Sequence, residues 1–380
     1  MTKPLEFLDH LKVSFPTLID QIQKLREYYD NKLWHQLTTQ IEEFIENPQL
    51  LQKKELINLY ELFIKDFETK LKPLSLVSIC IVISSQLDNE GSMKFIQQIS
   101  EKVKKDKSGY ILSLSFIASR HLDAHQITEA KQTIETAREE LKGITGLEPI
   151  VYATFYQVCT NYCKLKKSYG EFYQNALLYL SYTRLETLSV SDQQTLAFEL
   201  GIAAIIGENV YSFGDLIVHP ILRSLENTEA AWLIHLLKAF NIGDIAQYEQ
   251  LLAKYRDSIS KVADLNNNQQ QSLQKIAILS LLDLAFRTPS DKRILPFQTI
   301  AQTTKLPLGD IEYLLMKALS LNLIKGNIDQ IDQNIMITWV TPRVLDLNQI
   351  ATMKGKILDW TSKTQMSLGI LETDTVDLVV

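Results

Sequence analysis

The chain has 380 residues, 46% hydrophobic and 22% charged, which is enough apolar material for a sizeable core and excludes a disordered polymer. Only 13 glycines and 10 prolines argue against an all-β sandwich or barrel, which needs a turn about every 10 residues. A net charge of −6 offers nucleic acid no overall basic face, and three cysteines are too few for a disulfide framework.

At about 150 residues per domain, two or three domains are expected. The first ten residues lack the apolar core of a signal peptide. The most apolar stretches, 74–83 and 196–206, fall short of the ~20 residues that span a bilayer. A soluble, intracellular chain follows from this reading.

From 17 to about 285 the apolar residues recur with helical spacing. Leu18, Ile22, Leu25 and Tyr29 form one stripe, and Trp34, Leu37, Ile41 and Phe44 a second, stopped by Asn47-Pro48. Leu56, Tyr60, Phe63 and Phe67 follow, and Pro73 opens an apolar helix. The pattern runs on through 93–104, 109–120, 127–142, 150–166, 169–186 and 192–206 with short breaks. Such helices predict antiparallel pairs stacked in series, a degenerate α-solenoid.

Three more helices are predicted between 229 and 286. The first ends at Asn241-Ile-Gly243, and Asp244 caps the next. The tract from Asn266 to Gln271 predicts an exposed loop running into a helix start. After Pro289 the pattern changes. A short strand at 293–297, a helix at 298–303, a turn at 305–309, a helix at 310–321 and strands at 324–328 and 335–340 predict a winged helix. A last helix covers about 346–365, and the acidic tail from Gly369 is expected to be loose.

No phosphate loop, dinucleotide fingerprint, metalloprotease helix or nucleophile elbow is present. His121 and His125 are four apart, as are Cys159 and Cys163, so each pair shares a helical face and the four side chains make a possible zinc set. Without a C-x-x-C knuckle, small core cysteines and helix-end histidines are the better reading. No catalytic, metal or cofactor residue is assigned.

The winged module sets Lys292, Arg293, Lys305, Lys317, Lys325 and Arg343 against Asp291, Asp310, Glu312, Asp329 and Asp332. Its groove helix, 308–320, holds Asp310 and Glu312 against Lys317 alone. Phosphate neutralisation supplies most DNA affinity, so this charge pattern argues for protein docking instead. The strand Ile335–Val340 is apolar on both faces. Two uses fit it: an edge strand that pairs with another chain, or a strand packed between the module's own helices and the preceding solenoid. Trp34, Trp232, Trp339 and Trp360 lie on predicted apolar faces, a core position by default. The last helix carries Leu347, Ile350, Met353, Ile357 and Trp360 on one side, with nothing obvious in the chain to cover them.

A solenoid running into a winged helix and a terminal helix resembles the PCI-domain family. The resemblance is carried by Trp232-Leu-Ile-His-Leu-Leu-Lys-Ala-Phe-Asn-Ile-Gly-Asp-Ile-Ala-Gln-Tyr248, by Leu314–Asp329 and by Met336–Leu345. Lys32-Leu-Trp-His-Gln-Leu37, Pro73-Leu-Ser-Leu-Val77, Phe213-Gly-Asp-Leu216 and His219-Pro-Ile-Leu222 resemble more narrowly the PCI subunits of the proteasome regulatory-particle lid. The resemblance implies a mainly α protein: a helical-repeat solenoid over 1–228, a PCI domain over 229–345 (helical part 229–288, winged helix 289–345), a docking helix over 346–366 and a flexible tail over 367–380. It implies a non-catalytic scaffold of the cytoplasm and nucleus, in a hetero-oligomer with a neighbouring PCI subunit and the MPN-domain subunits. No cofactor, nucleic acid or membrane is implied. The candidate protein-interface residues are Ile335, Ile337 and Trp339 on the wing, and Leu347, Ile350, Met353, Ile357 and Trp360 on the last helix. The alternatives are a PCI subunit of the signalosome or of translation initiation factor three, and a winged-helix nucleic-acid binder.

Overall fold

A computed structural model of the chain describes residues 3–15, 18–45, 47, 50, 55–289, 293–342, 344 and 347–374. It divides into two compact units, Met1–Ser189 and Val190–Val380.

The first unit is helical throughout its described elements. It holds α1 (Lys3–Ser14), α2 (Ile19–Asp30), α3 (Trp34–Ile45) and α4, which runs from Leu56 through one π-turn (Tyr60–Ile64) to Phe67. Then follow α5 (Pro73–Ser84), α6 (Asn89–Val103), α7 (Lys107–Asp123), α8 (Ile127–Leu141), α9 (Pro149–Lys166) and α10 (Tyr169–Tyr182). Most sequence neighbours pack on each other, α1 also meets α4 and α3 meets α5, and α7 touches α5 and α9. This is the serial stacking that the spacing predicts.

Helix α5 starts at Pro73, which has no N–H to lose in a first turn. Leu74, Leu76, Val77, Ile79, Cys80 and Ile83 are all buried, so it is a central helix without a solvent stripe. Trp34 stacks on Phe67 at 5.6 Å beside Tyr29 and Phe63, and closes the core near the end of α4. Asp106 caps α7 by accepting from Gly109 N at 2.9 Å.

The second unit begins with α11 (Val190–Ile206), α12 (Gly214–Val218) and a 3-10 turn (Pro220–Leu225). Next come α13 (Ala231–Ile242), α14 (Ile245–Lys254), α15 (Arg256–Ser260), α16 (Ala263–Asn267) and α17 (Gln269–Arg287). The Asn/Gln tract is mostly exposed and runs into a helix start, as expected, but most of it is helical rather than loop. Its asparagines close α16 and its glutamines open α17, with Asn268 Nδ2 donating to Asp264 O at 2.8 Å across the break.

The α13–α14 turn forms as predicted. Gly243 takes φ +75°, and its N–H and that of Asp244 both donate to Ala239 O, at 2.9 and 3.1 Å. Asp244 Oδ1 then accepts from Gln247 N at 3.0 Å and starts α14. Asp244→Ala is expected to cost about 1 kcal/mol, the usual worth of such a cap; a urea titration of the full chain checks it, and an unchanged midpoint would contradict the cap.

The winged helix follows: β1 (Ile294–Pro296), α18 (Phe297–Thr304), α19 (Leu308–Ser320), β2 (Ile324–Asp329) and β3 (Asn334–Val340). The sheet is antiparallel with order β1-β3-β2, and a bulge falls at Lys325/Gly326. Helix α17 packs on α18, α19 and β3, and so carries the module. The last helix, α20 (Leu347–Asp374), runs through Gly369 rather than loosening there. A mid-helix glycine costs only about 1 kcal/mol against alanine, and Leu368, Ile370 and Leu371 flank it. Residues 375–380 of the expected tail, together with Lys292, Arg343 and the side chain of Leu347, lie outside the described residues.

Candidate docking surfaces

Helix α20 has 28 residues, about 42 Å at 1.5 Å per residue. Ile350, Met353, Ile357, Trp360, Leu368 and Leu371 recur at helical intervals, bridged by Thr364, and line one face. Every side chain described from Ile350 to Leu371 is exposed, Trp360 by 72%. The stripe extends the predicted one by three turns, because Gly369 does not end the helix. None of the described residues covers this stripe, and an exposed apolar stripe of this length is a candidate helix-docking surface.

The wing corrects two expectations. Strand β3 is central, with β1 on one side and β2 on the other, so 335–340 is not an edge strand. Ile335 and Ile337 are 0% and 2% exposed and belong to the module's core. Alternation places them together, and α17 covers their strand. Trp339, at the end of the same inward row, is 39% exposed with Lys325 Nζ 5.3 Å from its ring centroid. Of the four tryptophans, Trp232 is buried and Trp34 packs against the core, whereas Trp339 and Trp360 reach solvent.

On α19, Ile311, Leu314, Leu315 and Ala318 face inward. The opposite side shows Gly309, Tyr313, Met316 and Ser320, spaced four, three and four and all exposed. No base lies in this stripe, so the helix that a DNA-reading winged helix would place in the groove presents an uncharged outer face.

A buried cation braces the same unit. Lys275 on α17 is 6% exposed, and its Nζ donates to the carbonyls of Ala204, Ile205 and Gly207 at 2.6, 3.2 and 2.9 Å. Two of these carbonyls belong to the last turn of α11 and the third to the residue after it, where the helix dipole favours a cation. The rings of Tyr211 and Phe213 lie 5.6 and 5.3 Å from the amine. Burial pushes its pKa down to about 7. Lys275 lies beside the apolar stripe Leu273, Ile276, Ala277, Ser280, Leu281 and Leu284 rather than in it, so only the burial of a second face of α17 brings it inside.

The possible zinc set resolves into separate parts. His121 Nδ1 lies 2.7 Å from Gln126 Oε1 at the end of α7, and Cys159 and Cys163 are buried on α9. Burial pushes both thiols up to about 11, which makes them poor ligands and nucleophiles. Among the described residues no three His, Cys, Asp or Glu side chains gather as a metal site. No described helix is long and apolar enough to cross a membrane.

Helical repeats, a winged helix and an exposed terminal helix define a PCI-domain protein, and residues 252–339 match the PCI domain family. Residues 21–237 match the family of PSD13 N-terminal repeats. The chain is 60% identical over 380 residues to the 26S proteasome non-ATPase regulatory subunit 13 of Dictyostelium discoideum, with 99% of each chain covered. It is 38% identical to homolog B of that subunit in Arabidopsis thaliana, again with 99% of each covered. It is 30% identical to the probable 26S proteasome regulatory subunit rpn9 of Schizosaccharomyces pombe, over 97% of this chain and 95% of the relative. The chain belongs to the family of the 26S proteasome non-ATPase regulatory subunit 13.

Proposed function

We propose that the chain is a non-catalytic scaffold of the proteasome regulatory-particle lid, supporting ATP-dependent degradation of ubiquitinated proteins in the cytoplasm and nucleus. Its partners are a neighbouring PCI subunit, met through the 229–345 domain, and the MPN-domain subunits, met through α20. The 1–228 repeats are a further protein-contact arm. The observation that carries this reading is the uncovered apolar stripe of α20. Each apolar side chain gains about 1.5–3 kcal/mol on full burial, so the stripe can hold a bundle together without any contribution from chemistry.

Removing residues 347–380 from the tagged full chain tests it. The exposed helix contributes little to the chain's own core, so the remainder is expected to keep its thermal melt. Recovery of lid subunits with it is expected to fall by more than roughly ten-fold, which corresponds to only ~1.4 kcal/mol. Normal recovery of the lid with the truncated chain would refute docking through α20. Recovery of signalosome or initiation-factor subunits would keep the fold and change the complex.

A further inference from the structure

A second uncovered surface lies on the winged helix, away from the α20 stripe in sequence and in chemistry. Tyr313 and Met316 are 62% and 50% exposed at the centre of the outer face of α19. The wing turn is tied beside them, since Gln330 Nε2 donates to Glu312 Oε2 at 3.1 Å. The next residue, Ile331, is 94% exposed. Its turn is built rather than slack: Asp329 Oδ1 accepts from the backbone N–H groups of Ile331 and Asp332 at 3.0 and 3.1 Å. Two large side chains on a helix and one on a braced turn thus stand open together.

The rim of this surface is acidic. Asp310 and Glu312 flank the helix stripe, and Asp329 and Asp332 flank Ile331. Of the module's described lysines, Lys305 pairs with Glu249 at 2.5 Å and Lys325 lies over Trp339. Lys317 keeps its charge, but its Nζ is turned to Gln274 Oε1 at 2.8 Å, so the four acids outnumber it. Four carboxylates around an apolar centre repel phosphate and attract cations. We infer that the outer face of α19 and the wing tip form a docking site for a basic amphipathic segment of a partner protein, with its apolar side chains on Tyr313, Met316 and Ile331 and its Lys or Arg residues on the acidic rim. The inference takes from the scaffold reading only that the partner is a protein of the assembly.

The test places the photo-crosslinker p-benzoylphenylalanine at position 313 of the tagged full chain in its own cells, with a second chain carrying it at position 360 on α20. The expected result at 313 is an adduct whose peptide, read by mass spectrometry, comes from another subunit and sets Lys or Arg beside apolar residues. The double variant Asp310→Lys, Glu312→Lys is expected to lower that yield roughly ten-fold, as reversal of rim charges opposes encounter, and to leave the 360 adduct unchanged. An adduct at 360 with none at 313 would overturn the α19 site and leave the α20 reading intact. A nucleic-acid adduct, an acidic partner peptide or a yield indifferent to charge reversal would overturn it too. Silence at both positions would overturn this inference and the scaffold reading together.

Discussion

Gly243→Val is expected to unfold the second unit at temperatures where the native chain is stable, and Gly243→Ala to do so less severely. Two costs add. At φ +75° a residue with a Cβ sits in the left-handed region, unfavourable by about 1–2 kcal/mol and more for a β-branched side chain. The Cβ itself would lie 2.6 Å from Ser280 N and 2.7 Å from Ser280 Cα, so α13 and α17 meet there backbone to backbone. No rotamer relieves a clash with main chain, and α17 is the helix on which the winged module packs. A loss above roughly 3 kcal/mol is expected, in the range reserved for strain at special backbone positions and overpacking. For a cooperative unit of 150–250 residues this is about 2–4 °C per kcal/mol in Tm. Gly309→Ala is the control, because a Cβ there meets nothing within 4 Å; it is expected to leave Tm unchanged or slightly raised. Equal melting of Gly243→Val and the native chain would refute the close approach.

This turn is legible in the residues themselves. Asparagine, glycine and aspartate between two apolar stripes are a helix stop followed by a cap, and the hydrogen bonds of Gly243 and Asp244 form that pair. The stripes are equally readable, because 3.6-residue spacing is a property of sequence. What is not readable depends on contacts across the fold. Helix α1 buries Phe7, Leu8 and Leu11, but its stripe is short and lies ahead of the run of helical spacing that begins at residue 17. The π-turn in α4 is a slip of one hydrogen bond with no compositional mark. Alternation in β3 sets Ile335, Ile337 and Trp339 on one face, but only the arrival of β1 on its free side makes the strand central. The apolar stripe of α20 is readable as far as Trp360 and fades toward Gly369, where local propensity favours a break that the helix does not make. Tyr313 and Met316 escape a reading of α19 by its charges, because exposed apolar residues carry no charge to count.

Lys275→Met is the other substitution with a large expected effect, and its sign with pH can be worked out. Methionine keeps the apolar stem between Tyr211 and Phe213 and removes the donor. The carbonyls of Ala204, Ile205 and Gly207 then lose their shared partner. Each buried polar group left unpaired costs about 1–3 kcal/mol, and the release of a desolvated charge returns part of that, so a net loss of about 3 kcal/mol is expected. The amine's folded pKa, about 7, lies below its ordinary 10.5. Between these values the unfolded chain binds more protons than the folded one, so stability rises with pH across that window. Below about pH 7 both states carry the charge, and the folded state bears the full cost of burying it. The gap in stability between the native chain and Lys275→Met is therefore expected to widen from pH 7 to pH 10, read by urea titrations at each pH. A gap that is large but flat would mean that three carbonyls and the end of α11 hold the ammonium charged against burial. No gap at any pH would show that water, not Lys275, caps the helix, and that α11 and α17 are joined by apolar packing alone.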